Sequence, residues 1–199
     1  CESFVGAGVL PMRHGLTLGE LARWFVRRLS IDVECEIVTM EGWVPERAPG
    51  FGWPEGERAW VNPSPNVPSL WTARCYPGTV MVEGTTLSEG RGTTRPLEIF
   101  GAPDLDGRAL LAKMTALAAD WMNGCRLRPC WFEPTFHKWK GEVCHGFEIH
   151  VTDRRAYRPF ITTLALLQDV IAEHKSAFAW QEPPYEYVTD KPPIDVLTG

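Results

Sequence analysis

Between Glu83 and Arg95 the chain reads EGTTLSEGRGTTR: two glutamates, two arginines, four threonines, a serine and three glycines, with Leu87 the only large apolar side chain. Glycines at 84, 90 and 92 permit φ > 0 and let the backbone approach a ligand closely. The run has no lysine, so it is not a Walker loop, and its GRG does not open a helix at GxGxxG spacing; a nucleotide phosphate is not the expected ligand. Guanidinium groups bind carboxylates through two parallel hydrogen bonds. Arg91 and Arg95 are therefore candidates to hold an anionic substrate group, with Thr94 and the neighbouring hydroxyls as sugar partners. The two groups flank Thr93–Thr94 and are expected to open into a solvent-reachable hollow. Glu83 and Glu89 are the catalytic candidates, because glycoside hydrolysis commonly uses two carboxyl groups across the scissile bond. The same residues admit a second arrangement, in which Glu89–Arg91 and Glu98–Arg95 ion pairs only hold an irregular loop in one shape.

A second chemical spot is LPMRHG, residues 10–15, where Arg13 and His14 lie just before a capped helix. In an α/β layer, ligands meet strand ends and helix N-termini there. His14 suits a hydrogen bond to a sugar hydroxyl or proton transfer, or else it orders its own turn. His137, His145 and His150 carry less weight. The tryptophans at 43, 53, 60 and 71 are read mainly as packing. Cys125, Cys130, His137, Cys144 and His145 fit no CxxC spacing, so no metal is expected. The six cysteines are sparse, and read as buried thiols or one local disulfide rather than a disulfide scaffold. No cofactor is implied.

These residues need elements to position them. Residues 17–29 predict a helix opened by a Thr17/Glu20 capping box, with Leu18, Leu21, Phe25 and Leu29 on one stripe. ECEIVTM, residues 34–40, alternates like a strand, so the first part reads as the end of an α/β layer. Residues 43–71 hold many prolines among tryptophans and read as an ordered, extended connector. TVMV, residues 79–82, predicts a short strand ahead of the loop. Residues 104–123 predict a helix capped by Asp104 or Asp106 and stopped at Gly124, with Leu110, Met114, Leu117 and Trp121 buried. RPCWFEP and GFEIHV predict strands, the second with Phe147, Ile149 and Val151 on one face and Glu148 and His150 on the other. Residues 159–174 predict a helix with Phe160, Leu164, Leu167 and Ile171 in register. The tail, QEPPYEYVTDKPPIDV, reads as extended. The fold class is α+β.

The bulk numbers exclude some functions. The chain has 199 residues, is 44% hydrophobic and 23% charged, and carries a formal charge of −5, with a pI near 5.6. A nucleic-acid binder needs a basic stripe to neutralise phosphates. No apolar run approaches the roughly 20 residues of a membrane span. The chain opens on Cys1 with no signal-like segment and closes on KPPIDVLTG. Both ends are expected to be internal to a longer polypeptide.

Four stretches occur in order: RHGLTLGELA, NPSPNVPSLWTARCYPGT, VEGTTLSEGRGTTRPLEIFGAP, and F-x-P-T-F-H-K-W-x-G-x-x-C followed by GFEIHVTD. Together they resemble the bacterial peptidoglycan exo-β-N-acetylmuramidases of the NamZ type. That resemblance implies a Rossmann-like N-terminal domain, of which residues 1–42 are the end. It also implies a connector over 43–71 and a distinct, incomplete α+β C-terminal domain over 72–199, with the cleft between the two domains. The implied activity is release of N-acetylmuramic acid from non-reducing ends of peptidoglycan fragments. A non-catalytic muramyl-binding module is the alternative. The implied partners are muramyl saccharides and the missing part of the N-terminal domain, which carries a further catalytic glutamate. A periplasmic or secreted location follows, or a cytoplasmic one for a recycling enzyme. Two positions depart from the family: Thr86 stands where asparagine is expected, and Trp139 where tyrosine is frequent.

Overall fold

The computed structural model describes residues 10–44 and 59–181. They fall into two compact units, one within Leu10–Ala59 and one from Trp60 onward. Residues 45–58 of the 43–71 connector and nearly all of the proline-rich tail lie outside the described residues.

The first unit contains helix α1, Leu18–Arg28. Its start is the predicted capping box: Thr17 Oγ1 accepts from the Glu20 amide at 3.2 Å, and Glu20 Oε2 accepts from the Thr17 amide at 2.8 Å. Arg27 and Arg28 in the last turn complement the helix dipole. The apolar stripe is narrower than predicted. Leu21 and Phe25 are half-buried, while Leu18 and Leu29 are exposed. The chain returns along the helix with Ile37 against Gly19, where an added Cβ would lie 2.6 Å from Ile37 Cγ2. The strand predicted over 34–40 is not formed. A strand requires a hydrogen-bonded neighbour, and no described segment of this unit pairs with it.

The second unit is α+β. Helix α2, Leu70–Thr79, begins at Ser69, whose Oγ accepts from the Thr72 amide at 3.1 Å. A proline and a glycine inside it, Pro77 and Gly78, hid this helix from sequence reading. Gly78 is needed for packing: a Cβ there would sit 2.1 Å from the Pro159 carbonyl oxygen. The chain then tightens into a 3-10 turn, Val80–Gly84, where a strand was predicted. A short apolar run does not distinguish a buried strand from a buried helical turn by periodicity.

Strand β1, Ile99–Ala102, was not anticipated; its four residues are all buried. Helix α3, Gly107–Leu117, is capped by Asp106, whose Oδ1 accepts from the Arg108 and Ala109 amides at 3.0 and 3.1 Å. It ends earlier than predicted, in a 3-10 turn at Ala119–Met122, and Gly124, with φ +79°, leads into β2, Cys125–Phe132. Leu110 and Met114 are buried as predicted, but Leu117 at the end of α3 and Trp121 in the 3-10 turn are exposed. Strand β3, Cys144–Val151, lies between the others in the antiparallel order β1-β3-β2, with Phe100 opposite Phe147 and Leu127 opposite Ile149. Phe147, Ile149 and Val151 enter the core as predicted. Helix α4, Pro159–Glu173, buries Thr162, Thr163, Leu166, Leu167 and Val170. That face is rotated from the predicted one, and Phe160 is exposed.

The core joins Phe100, Phe147, Leu110, Leu127 and Leu166 with Cys75. Among the described residues the cysteines are free thiols. Burial pushes the Cys75 thiol up to about 12, with the Glu98 carboxylate adding to it. Cys75 is expected to resist iodoacetamide at pH 8 in native protein and to react on urea unfolding, as read by peptide mass mapping; rapid native labelling contradicts its packing. No helix among the described residues is long and apolar enough to cross a membrane.

Candidate functional site

The polar loop is not an open surface loop. Thr85, Leu87, Ser88, Glu89 and Glu98 are almost completely buried. Backbone pairing fixes it on both sides. Ser88 and Gly101 exchange amide hydrogen bonds of 2.8 and 3.0 Å, and the Thr86 amide donates to Ala179 at 2.8 Å. The hydroxyls predicted to meet a sugar are used by the loop itself. Thr85 Oγ1 accepts from the Leu87 amide at 3.1 Å, Ser88 Oγ from the Gly90 amide at 3.1 Å, and Thr93 Oγ1 from the Arg95 amide at 3.1 Å. These are the local side-chain turns that Ser and Thr favour. Thr94 is exposed. Gly92, with φ +84°, lies under the chain at Phe136, whose amide nitrogen would be 2.7 Å from an added Cβ. The Thr135 amide closes this contact by donating to Gly92 at 3.0 Å.

Four charges form a line at one end of the loop. Arg91 Nη2 donates to Glu83 Oε1 at 2.6 Å, and Arg91 Nε lies 2.9 Å from Glu89 Oε1. On the other side Lys138 Nζ donates to Glu89 Oε2 at 2.9 Å. The side chain of Glu89 is wholly buried, whereas that of Glu83 is 36% exposed. Burial opposes the charge of Arg91, but Glu83 and Glu89 outweigh it and hold its pKa above the ordinary arginine value. Burial lowers the Lys138 pKa, against the pull of Glu89. Tyr76 from α2 is raised by burial and by the nearby Glu83. His137 Nδ1 stands 3.6 Å from Glu89 Oε1 on the solvent side.

Arg95 belongs to a second group. Its Nη1 donates to Glu98 Oε2 at 2.9 Å, and its Nε is 3.8 Å from Glu148 Oε1. Glu98 Oε1 also accepts from Ser69 Oγ and Thr72 Oγ1 at 3.1 and 2.7 Å. Glu148 pairs with Arg128 across the strands and lies 3.4 Å from His150 Nε2. Both ion pairs weighed in the sequence, Glu89–Arg91 and Glu98–Arg95, are therefore formed. They leave the two arginines unequal: the Arg91 side chain is 24% exposed and turned inward, and that of Arg95 is 48% exposed. The hollow expected at Thr93–Thr94 is filled on the Arg91 side. A cavity of about 320 Å³ lies elsewhere, against α3 and α4, lined by Met114, Leu117, Trp121, Ala165 and Asp169.

Arg13 and His14 belong to the first unit. Arg13 is exposed, and His14 is half-buried with Nδ1 accepting from the Leu16 amide at 3.0 Å. That bond orders the turn into α1 and puts the ring proton of a neutral imidazole on Nε2. No group of three His, Cys, Asp or Glu side chains converges as a metal site among the described residues.

Sequence reasoning missed Lys138. Nothing in FHKW says that its lysine points inward. The one local signal is conformational and invisible in sequence: His137 and Trp139, on either side of it, have φ of +69° and +58°. Such left-handed non-glycine residues cost about 1 kcal/mol or more each. The two departures from the resembled family also meet here, since Trp139 Nε1 donates to the Thr86 carbonyl at 2.8 Å. The Thr86 hydroxyl supplies both a donor and an acceptor, to the Ala177 carbonyl at 3.2 Å and from the Ala179 amide at 2.9 Å.

Comparison with known proteins agrees along the whole chain. Residues 1–71 match the family description "Exo-beta-N-acetylmuramidase NamZ, N-terminal", and residues 74–199 match its C-terminal counterpart. A curated relative from Bacillus subtilis (strain 168), the peptidoglycan beta-N-acetylmuramidase NamZ, is 38% identical over 168 residues, covering 84% of this chain and 39% of the relative. The crystal structure of a DUF1343 family protein from Bacteroides fragilis superimposes with a TM-score of 0.75 at 25% identity, covering 88% of this chain and 44% of that one. A second such protein from that organism shares the fold, with a TM-score of 0.56 at 22% identity over 88% of this chain and 52% of its own. The chain thus spans well under two thirds of the relatives it matches, and it belongs to the exo-β-N-acetylmuramidase NamZ family.

Proposed function

We propose that the polypeptide containing this chain is a glycoside hydrolase that releases N-acetylmuramic acid from non-reducing ends of peptidoglycan fragments. The observation that carries this reading is the 38% identity to a relative named as a peptidoglycan beta-N-acetylmuramidase, together with the family match over both parts of the chain. The geometry supports a division of roles within this reading. Glu83 is the carboxylate of the loop with surface to offer. Bonded to Arg91, it suits stabilisation of the positive charge in an oxocarbenium-like transition state. Glu89 has no exposed surface and acts as the counter-ion that holds Arg91 and Lys138. The second carboxyl group that glycoside cleavage calls for comes from the part of the polypeptide outside this chain.

N-acetylmuramic acid differs from N-acetylglucosamine by a lactyl ether bearing a carboxylate. Arg95, half-exposed beside Thr94, is the guanidinium assigned to that anion. Residues 1–42 complete a Rossmann-like layer in the whole polypeptide, where 34–40 gains the strand neighbours it lacks. Residues 43–71 are the connector to the domain over 72–199. A substrate of this kind suits an enzyme of the periplasm or outside the cell, or a cytoplasmic one that recycles wall fragments.

The test is hydrolysis of a chromogenic β-N-acetylmuramide by the full-length protein. Absence of product ends the reading. Arg95→Ala is expected to lower kcat/KM on the muramide by about 10- to 100-fold, the worth of one charged hydrogen-bonded contact. The loss on the corresponding glucosaminide is expected to be much smaller. Equal losses on both substrates remove the assignment of Arg95 to the lactyl carboxylate.

A further inference from the structure

We propose that Lys138 is the positioning residue of this site: its buried ammonium fixes the Val82–Glu89 backbone and, through Glu89 and Arg91, the carboxylate of Glu83. The inference deepens the functional reading above and rests on it. Lys138 Nζ faces four oxygens: the carbonyls of Val82, Glu83 and Leu87 at 3.1, 3.0 and 2.9 Å, and Glu89 Oε2 at 2.9 Å. An ammonium has three donors, so these oxygens share them fully and none is left for a ligand. Two of the carbonyls lie in the 3-10 turn that carries Glu83, and the third lies beyond it. One point charge thus ties the end of the 3-10 turn to the buried part of the loop.

The charges nearby balance. Glu83 and Glu89 are matched by Arg91 and Lys138. His137 approaches Glu89 from the solvent side, and Tyr76 approaches Glu83 from α2. Glu89 Oε1 faces Arg91 Nε at 2.9 Å but accepts no aligned hydrogen bond, so Lys138 supplies the directional contact to this carboxylate. An apolar side chain of similar volume would fill the same space without the desolvation cost of a buried ion. What the ammonium adds is direction, since its donors select one arrangement of carbonyls. The left-handed backbone at His137 and Trp139 aims it inward. Strain of that kind persists only where the surroundings over-determine the conformation, and the contacts of Lys138 and of the Trp139 indole do this here.

The experiment compares Lys138→Met with wild type in the full-length protein, by amide hydrogen exchange and by steady-state hydrolysis of the chromogenic muramide. Methionine keeps the length of the stem and removes the donors. The expected result is faster exchange that is greatest in the peptides spanning residues 82–91 and clearly exceeds any loss of protection at the β2 and β3 amides. With it, kcat is expected to fall about 10- to 100-fold at a KM changed less than about 3-fold, since a 1 Å misplacement costs on the order of 10²-fold. Unchanged exchange over 82–91 overturns the proposal. So does local loosening with wild-type kcat, or loss of protection spread evenly over the whole chain. A wild-type protein that does not hydrolyse the muramide defeats the functional reading instead. The hold of Lys138 on the loop is then decided by exchange alone.

Discussion

Glu83→Gln in the full-length protein is expected to lower kcat on a β-N-acetylmuramide by about 10²- to 10⁴-fold, the range for removing a carboxyl group that acts at the reacting centre. Glutamine has the same length and keeps an oxygen where Glu83 Oε1 accepts from Arg91 at 2.6 Å. The fold should hardly notice. Glu83 is partly solvated, and ion pairs of that kind contribute about 0–1 kcal/mol. The urea midpoint should therefore stay close to that of wild type while turnover collapses. Turnover within about 3-fold of wild type, against that expected range, removes Glu83 from the chemistry and moves the catalytic carboxyl groups wholly outside this chain.

Glu89→Gln is expected to do the reverse. Its carboxylate is wholly buried and lies between Arg91 and Lys138. Neutralising it leaves the Lys138 ammonium and the Arg91 guanidinium facing an uncharged amide in a place with little water. Breaking one side of a buried ion pair costs about 3–5 kcal/mol, a large part of the roughly 5–15 kcal/mol that holds a domain folded. Urea denaturation should show the midpoint falling sharply with little change in slope. A Glu89→Gln protein as stable as wild type contradicts the view that this residue holds the loop. Together the two substitutions test the roles that one sequence motif left merged: a glutamate proposed to meet the substrate and a buried glutamate that holds the loop.

The residues that were legible in advance share a property. The Thr17/Glu20 box and the Asp106 cap are decided by neighbours two or three positions away; the box appears as predicted, and of the two predicted cap positions Asp106 is the one used. The alternation of Phe147, Ile149 and Val151 against Glu148 and His150 is likewise a property of one strand. The misreadings share the opposite property. Residues 34–40 have a strand's pattern, but pairing depends on a neighbour the segment does not contain. Position 78 of helix α2 is a glycine because the Pro159 carbonyl packs where a side chain would otherwise stand. The stripe on α4 is turned because the elements around it choose which side to cover.

By itself, the sequence determined the family, the α+β class, the starts of α1 and α4, and the loop in which the charges are concentrated. Composition and spacing over a few residues are enough for these, since they rest on contacts within one turn or along one strand. Only the tertiary structure decided which of the two glutamates is buried, which arginine keeps surface, and that Lys138 is the group that binds the loop together. The hold of Lys138 depends on partners 49 to 56 positions away in the chain. Burial removes the water that would otherwise satisfy each charge, so its role follows from the oxygens and cations the fold brings against it.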